Sequence, residues 1–178
     1  MDIGIISTRY ARALLKSTSG AELEKQVYQE MMTLAKSYAE VPALRQAIDN
    51  PMLAKEKKQQ LLETAVGEAP SDLTKAFLAL VLKENREPMM QFIALSYVSL
   101  YRQQKNIING RLITATAVSP ATEQKMRQMV ESKTNGTVEF ETEVNPDIIG
   151  GFILEYDTYR MDASVKSKLN NILNTLKK

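Results

Sequence analysis

The chain has 178 residues, 44% of them hydrophobic, which is enough to bury a core in one domain or two small ones. It contains neither cysteine nor histidine, which excludes disulfides, thiolate metal sites and thiol nucleophiles together with the commonest metal ligand and general base. The net charge of +2 is evenly spread, with 14 basic against 12 acidic residues through Lys105 and 9 against 9 beyond it, so no basic footprint for nucleic acid stands out.

From the start to Lys105 the apolar residues recur at helical spacing, and six helices fit. The first covers roughly Ile6 to Ser17. The second runs from Ala21 to Glu40 and puts Leu23, Val27, Met31, Leu34 and Tyr38 on one face. Pro42 suits the first turn of a short third helix through Ile48, which Asn50-Pro51 ends. A fourth spans about Ala54 to Val66 and stops at Gly67, and Ser71 or Asp72 caps a fifth that ends near Glu84-Asn85. The sixth runs from about Pro88 to Lys105, with Met89, Phe92, Ile93 and Leu100 inward. Inside the fifth helix, Ala76 to Leu82 is an unbroken apolar run that points all round the axis at about 100° per residue. Such a helix needs cover on every side, either from the middle of a bundle or from another protein.

Past Asn109-Gly110 the pattern changes. Arg111 to Val118 is rich in Ile, Thr and Val and predicts a strand, and Ser119-Pro120 opens another helix. Val138, Phe140, Thr142 and Val144 alternate with Glu139, Glu141 and Glu143, the pattern of a half-buried strand with one acidic face. Phe152 to Tyr156 and Tyr159 to Met161 make a short hairpin around Asp157-Thr158, and Ser164 caps a last helix carrying Val165, Leu169, Ile172, Leu173 and Leu176. The fold class is therefore α+β: a helical bundle over residues 1–105 followed by a small α/β domain over 106–178. No apolar run approaches the ~20 residues that cross a bilayer, and Met1 to Ile6 lacks the basic flank of a signal peptide, so no direct membrane insertion is expected.

Few features carry chemistry. Gly150-Gly151 invites a phosphate-loop reading, but the wider glycine spacing and the Lys-Ser/Thr pair of a P-loop are missing, and a bulge or turn at the start of a strand explains it better. Asp157 and Asp162 flank the hairpin and read as turn and capping residues rather than an acid and base pair. Lys55, Lys57 and Lys58 form a basic cluster; a solvated helix face accounts for it, and a free-standing adaptor that binds nucleic acid through this face is the alternative function. An enzyme working with carboxylates or lysine alone is a third class.

The first helix is more informative. On a helical wheel Ile3, Ile6, Tyr10, Ala11, Ala13, Leu14 and Leu15 cover about 200°, twice the ~100° that one core needs, while Arg9, Arg12 and Lys16 hold the wet side. Either this helix lies deep between its neighbours, or helices one and five leave an apolar groove that accepts a partner's amphipathic helix.

A helical domain followed by an α/β domain with Val144-Asn145-Pro146-Asp147-Ile148-Ile149-Gly150-Gly151-Phe152 and then Met161-Asp162-Ala163-Ser164-Val165 resembles the delta-subunit family of bacterial F-type ATP synthase, homologous to the mitochondrial oligomycin-sensitivity-conferring protein. That family carries an apolar residue before Gly-Gly-Phe, a short hairpin, then Asp-Gly-Ser and a closing helix; here Ala163 replaces the usual glycine. Arg9-Tyr10-Ala11-Arg12-Ala13-Leu14 matches the family's Tyr-Ala-x-Ala-Leu, and Asn85-Arg86 follows helix five as it does there. The resemblance implies a non-catalytic stator component without cofactor or metal, peripheral on the cytoplasmic face of the bacterial inner membrane within a hetero-oligomeric complex. It implies that the helical domain binds the N-terminal helix of the alpha subunit and the C-terminal part binds the C-terminal region of the b subunit. The alpha-binding surface it implies lies on helices one and five, with Tyr10, Ala11, Ala13, Leu14, Phe77, Leu78 and Val81 as candidates; Ile149 to Phe152 and the last helix mark only the region that carries the b-side motif.

Overall fold

A computed structural model describes residues 3–18, 21–134, 136–156 and 158–176. The chain divides into two compact units, 1–103 and 104–178, with the cut in the last turn of a helix. The first unit contains α1 (Ile3–Ser17), α2 (Ala21–Glu40), α3 (Pro42–Asp49), α4 (Lys55–Val66), α5 (Asp72–Lys83), a 3-10 turn at Glu87–Met89 and α6 (Met90–Lys105).

The punctuation works as its chemistry requires. Pro42 sits in the first turn of α3, where its missing N–H leaves no bond unmade. Ser71 caps α5, its hydroxyl accepting from the Thr74 amide at 3.3 Å. Asn85 follows α5 with φ of 53°, a conformation Asn tolerates, and so ends the helix. The core is drawn from Ala11 and Leu14 of α1, Val27, Met31 and Leu34 of α2, Leu78 and Val81 of α5, and Ile93, Ala94 and Tyr97 of α6, all buried. Tyr28 stacks on Tyr101 with ring centroids 4.3 Å apart, and Tyr101 stacks in turn on Tyr97.

Two expectations for this unit change. α1 begins at Ile3 rather than Ile6. Phe92 and Leu23 are exposed rather than inward; α6 buries the stripe Met90, Ile93, Ala94, Tyr97, Val98 and Tyr101, whose i, i+3, i+4 spacing places Phe92 off the buried face.

The second unit is a four-stranded sheet in the order β2-β1-β3-β4, from β1 (Ile107–Thr114), β2 (Thr137–Val144), β3 (Phe152–Tyr156) and β4 (Tyr159–Asp162). α7 (Pro120–Thr134) is the crossover between the parallel pair β1 and β2, and α8 (Val165–Leu176) closes the chain. Leu112, Val138 and Leu154 pack with Val130, while Ile113 and Ile153 pack with Ile148. Alternation along β1 and β3 sends these two sets to opposite faces of the sheet.

Here the first strand corrects the sequence reading: it occupies 107–114, not 111–118, and Asn109-Gly110 lies inside it. Gly110 is a contact rather than a turn, because a Cβ there would meet the Phe140 ring at 2.6 Å. β2 is an edge strand, so only Val138 of its apolar set is buried, and Val144 is 53% exposed.

Candidate functional site

The fifth helix resolves its own puzzle. Phe77, Leu78, Val81 and Leu82 are buried, whereas Ala76 is open and Leu80 stays 48% exposed. The uncovered edge faces the uncovered edge of α1, and between them lies a groove of about 600 Å³. Ile6, Tyr10, Ala13 and Leu14 of α1 form one wall; Leu73, Ala76, Phe77 and Leu80 of α5 form the other. Tyr10 and Phe77 meet edge to face across it, with centroids 6.5 Å apart. Ser17, Arg9 and Arg86 supply its polar lining. From Ile6 to Ser17 the wall runs about 16 Å at 1.5 Å per residue, the length of roughly three helical turns.

Of the residues expected here, Tyr10, Ala13, Leu14 and Phe77 line the groove. Ala11, Leu78 and Val81 do not: each is fully buried in the unit's own core, on the far side of its helix. The wheel gave the width of the apolar arc but not which edge the neighbouring helices roof over. The sequence reading missed Leu73, Ala76, Leu80 and Arg86 as lining residues; Ala76 and Leu80, an i, i+4 pair within the apolar run, were the available signal.

The groove's position depends on a buried carboxylate. Glu30 of α2 accepts from the Ser71 amide at 2.7 Å and the Ser71 hydroxyl at 2.8 Å, and also from the Thr74 hydroxyl. It is 7% exposed, so it satisfies the first turn of α5 from a neighbouring helix and fixes where that wall begins. A glutamate among Val27, Met31 and Leu34 on the dry face of α2 was the sequence sign of it.

The other candidate sites lose their chemistry. Lys58 is buried in an ion pair with Glu87 at 2.9 Å, and Lys55 donates to the Lys83 carbonyl at 3.4 Å, so the basic cluster is largely committed to internal contacts. Burial by itself would raise the Glu87 carboxyl, but the Lys58 hydrogen bond and charge outweigh it and hold it below the ordinary range. Gly150-Gly151 serves backbone packing: Gly151 has φ of 77°, a Cβ on it would lie 2.3 Å from the Ala163 carbonyl, and the Val165 amide donates to the Gly150 carbonyl at 2.9 Å. Ala163 takes no positive φ, so alanine is accommodated where glycine is usual. Asp162 accepts from the Ser164 amide at 2.9 Å and the Ser167 hydroxyl at 2.8 Å; these bonds pull its carboxyl down to about 2 and make it a helix cap. Asp157 lies outside the described residues. Among the described residues there is no group of three or more acidic side chains placed to hold a metal, and no helix long and apolar enough to cross a membrane.

A second apolar surface lies on the α/β unit. None of α8 is buried: Val165, Leu169, Ile172, Leu173 and Leu176 remain exposed, rising to 78% at Leu176. Ile149, 63% exposed, adjoins the Gly-Gly turn with φ 69° and ψ −39°, a strained conformation for a β-branched side chain.

An apolar groove on one unit and a bare apolar helix on the other are surfaces of the kind that docking proteins offer to other chains. Comparison with known proteins gives the particular family. The family model for the ATP synthase delta (OSCP) subunit matches residues 6–176. The chain is 46% identical to the ATP synthase subunit delta of Phocaeicola vulgatus over 173 residues, covering 97% of this chain and 94% of that one. It is 41% identical to the Parabacteroides distasonis subunit delta, with 97% and 96% covered. A chain in the cryo-EM structure of the Toxoplasma gondii mitochondrial ATP synthase hexamer shares the fold, with a TM-score of 0.63, 21% identity and 97% of each chain covered. This chain belongs to the ATP synthase delta (OSCP) subunit family, a non-catalytic, peripheral-stalk component of F-type ATP synthase.

Proposed function

We propose that this chain is the clamp between the catalytic head and the stalk: the α1/α5 groove holds the N-terminal helix of an alpha subunit, and α8 with the Gly-Gly turn engages the C-terminal region of the b subunit. The head is thereby held against the drag of the rotor, and rotation is coupled to ATP synthesis and proton translocation. The complex would place the chain at the cytoplasmic face of the bacterial inner membrane. One observation carries the reading: a concave apolar trough about three turns long, open between α1 and α5. A joint under mechanical load needs no chemistry, only contacts whose dissociation is slow compared with a rotational step.

Ala13 tests it, because its side chain faces the groove and is exposed in the free protein. Ala13→Glu puts a carboxylate where the occupant's apolar stripe would sit, at a cost of roughly 3 kcal/mol, or about a hundredfold in affinity. Titration of an alpha N-terminal peptide into both proteins reads the loss, and the thermal melt should stay unchanged. Equal affinity of the two proteins for that peptide would refute the placement.

A further inference from the structure

The groove has a sign. α1 carries Arg9, Arg12 and Lys16 and no acidic residue. Arg86, just past the end of α5, adds a second guanidinium to the lining, and no Asp or Glu lines the groove. On the α5 side, Asp72 and Glu84 sit at the two ends of that helix outside the lining and are exposed, and Glu87, next to Arg86 in the chain, is outside the lining and paired with Lys58. Arg9 and Arg86 make no side-chain hydrogen bond or ion pair among the described residues. This concentration is hidden in a chain whose overall charge is only +2.

An apolar helix seated in this trough covers part of both guanidiniums at its rim, and a cation left there without a partner opposes binding. Arginine at both positions, rather than lysine, offers a planar fork matched to a carboxylate. Resting on the groove reading above, we infer that the occupant is an acidic amphipathic helix: an apolar stripe about three turns long with Asp or Glu on its borders, meeting Arg9 and Arg86. The charges set the choice of partner and speed its capture, while the apolar floor provides the residence time.

The test uses the full chain and three synthetic helical peptides of about 18 residues that share one Leu/Ile stripe and differ only in carrying Glu, Gln or Lys at the bordering positions. Calorimetric titration at low salt should rank them Glu, Gln, Lys, with about tenfold between the first two, as two rim ion pairs would give. High salt should compress the ranking. Arg9→Glu with Arg86→Glu should invert it, and Arg9→Gln with Arg86→Gln should flatten it if the reversal perturbs folding. Three peptides that bind equally and are all blocked by Ala13→Glu would overturn the charge inference and leave the groove standing. Failure of all three, or shift perturbations outside α1 and α5, would overturn both.

Discussion

The groove between α1 and α5 and the apolar stripe on α8 are built in opposite ways. The groove is concave: α1 and α5 each bury one flank in their own core and turn the other toward a shared trough, whose α5 wall is fixed by Glu30. The stripe on α8 is convex, a single helix with no buried residue, anchored at its start by Ser164 and Asp162. A groove is preorganised and loses little on accepting a rigid helix, whereas a bare stripe gains its ordering only when a partner covers it. The first surface should therefore depend on what holds its walls, and the second on the side chains it offers.

The sharpest way to break that contrast is Glu30→Ala. It leaves the Ser71 and Thr74 donors without their buried acceptor, and should cost about 3 kcal/mol in urea denaturation. Because Ser71 and Thr74 belong to the same helical unit as Glu30, capture of the alpha peptide should weaken while capture of a peptide from the end of the b stalk stays intact. Loss of both together would show that the two surfaces are not independent.

The complementary change is Leu169→Ser with Leu173→Ser on α8. Both side chains are exposed, so folding stability should move by less than about 0.5 kcal/mol, yet binding to the stalk peptide should fall about tenfold. Ile149→Gly separates strain from contact at the same surface. Removing the β-branched side chain from positive φ should stabilise the unit by roughly 1 kcal/mol, seen as a higher melting temperature, while stalk affinity still drops severalfold. A lower melting temperature would mean that Ile149 makes a contact worth more than its strain.

Much of this was legible in residue order because punctuation is local. Pro42, Gly67, Ser71, Asn85, Ser119 and Ser164 each mark a helix boundary where the structure has one. What was not legible depended on distant partners. Asn109-Gly110 has the composition of a turn, and only the Phe140 ring on the next strand explains a glycine in mid-strand. Ala11, Leu78 and Val81 are chemically indistinguishable from Ala13, Ala76 and Leu80, and what separates them is which side the other helices cover. The apolar excess on α1 and α5 was visible in sequence, its shape was not, and the bareness of α8 follows only from the absence of any buried residue on it.

The smallest effect expected is confined to acid. Asp162 has its carboxyl lowered from 3.8 to about 2 by the Ser164 and Ser167 bonds, so it favours the folded state fully above pH 3.8. That contribution is lost as protonation proceeds through the folded value, between about pH 4 and 2. Amide exchange at Ser164 and Ser167, followed across this window, should accelerate as the first turn of α8 frays, because the carboxylate holds the Ser164 amide and the Ser167 hydroxyl while the Ser167 amide donates to the Ser164 hydroxyl. Asp162→Ala should exchange at the fast rate at neutral pH and show no further step in acid. Asp162 belongs to the other compact unit, so amides of α1 should show no step in that range attributable to Asp162. A step there that vanishes in Asp162→Ala would mean that the cap on α8 also stabilises the groove, and that the two docking surfaces answer to one another.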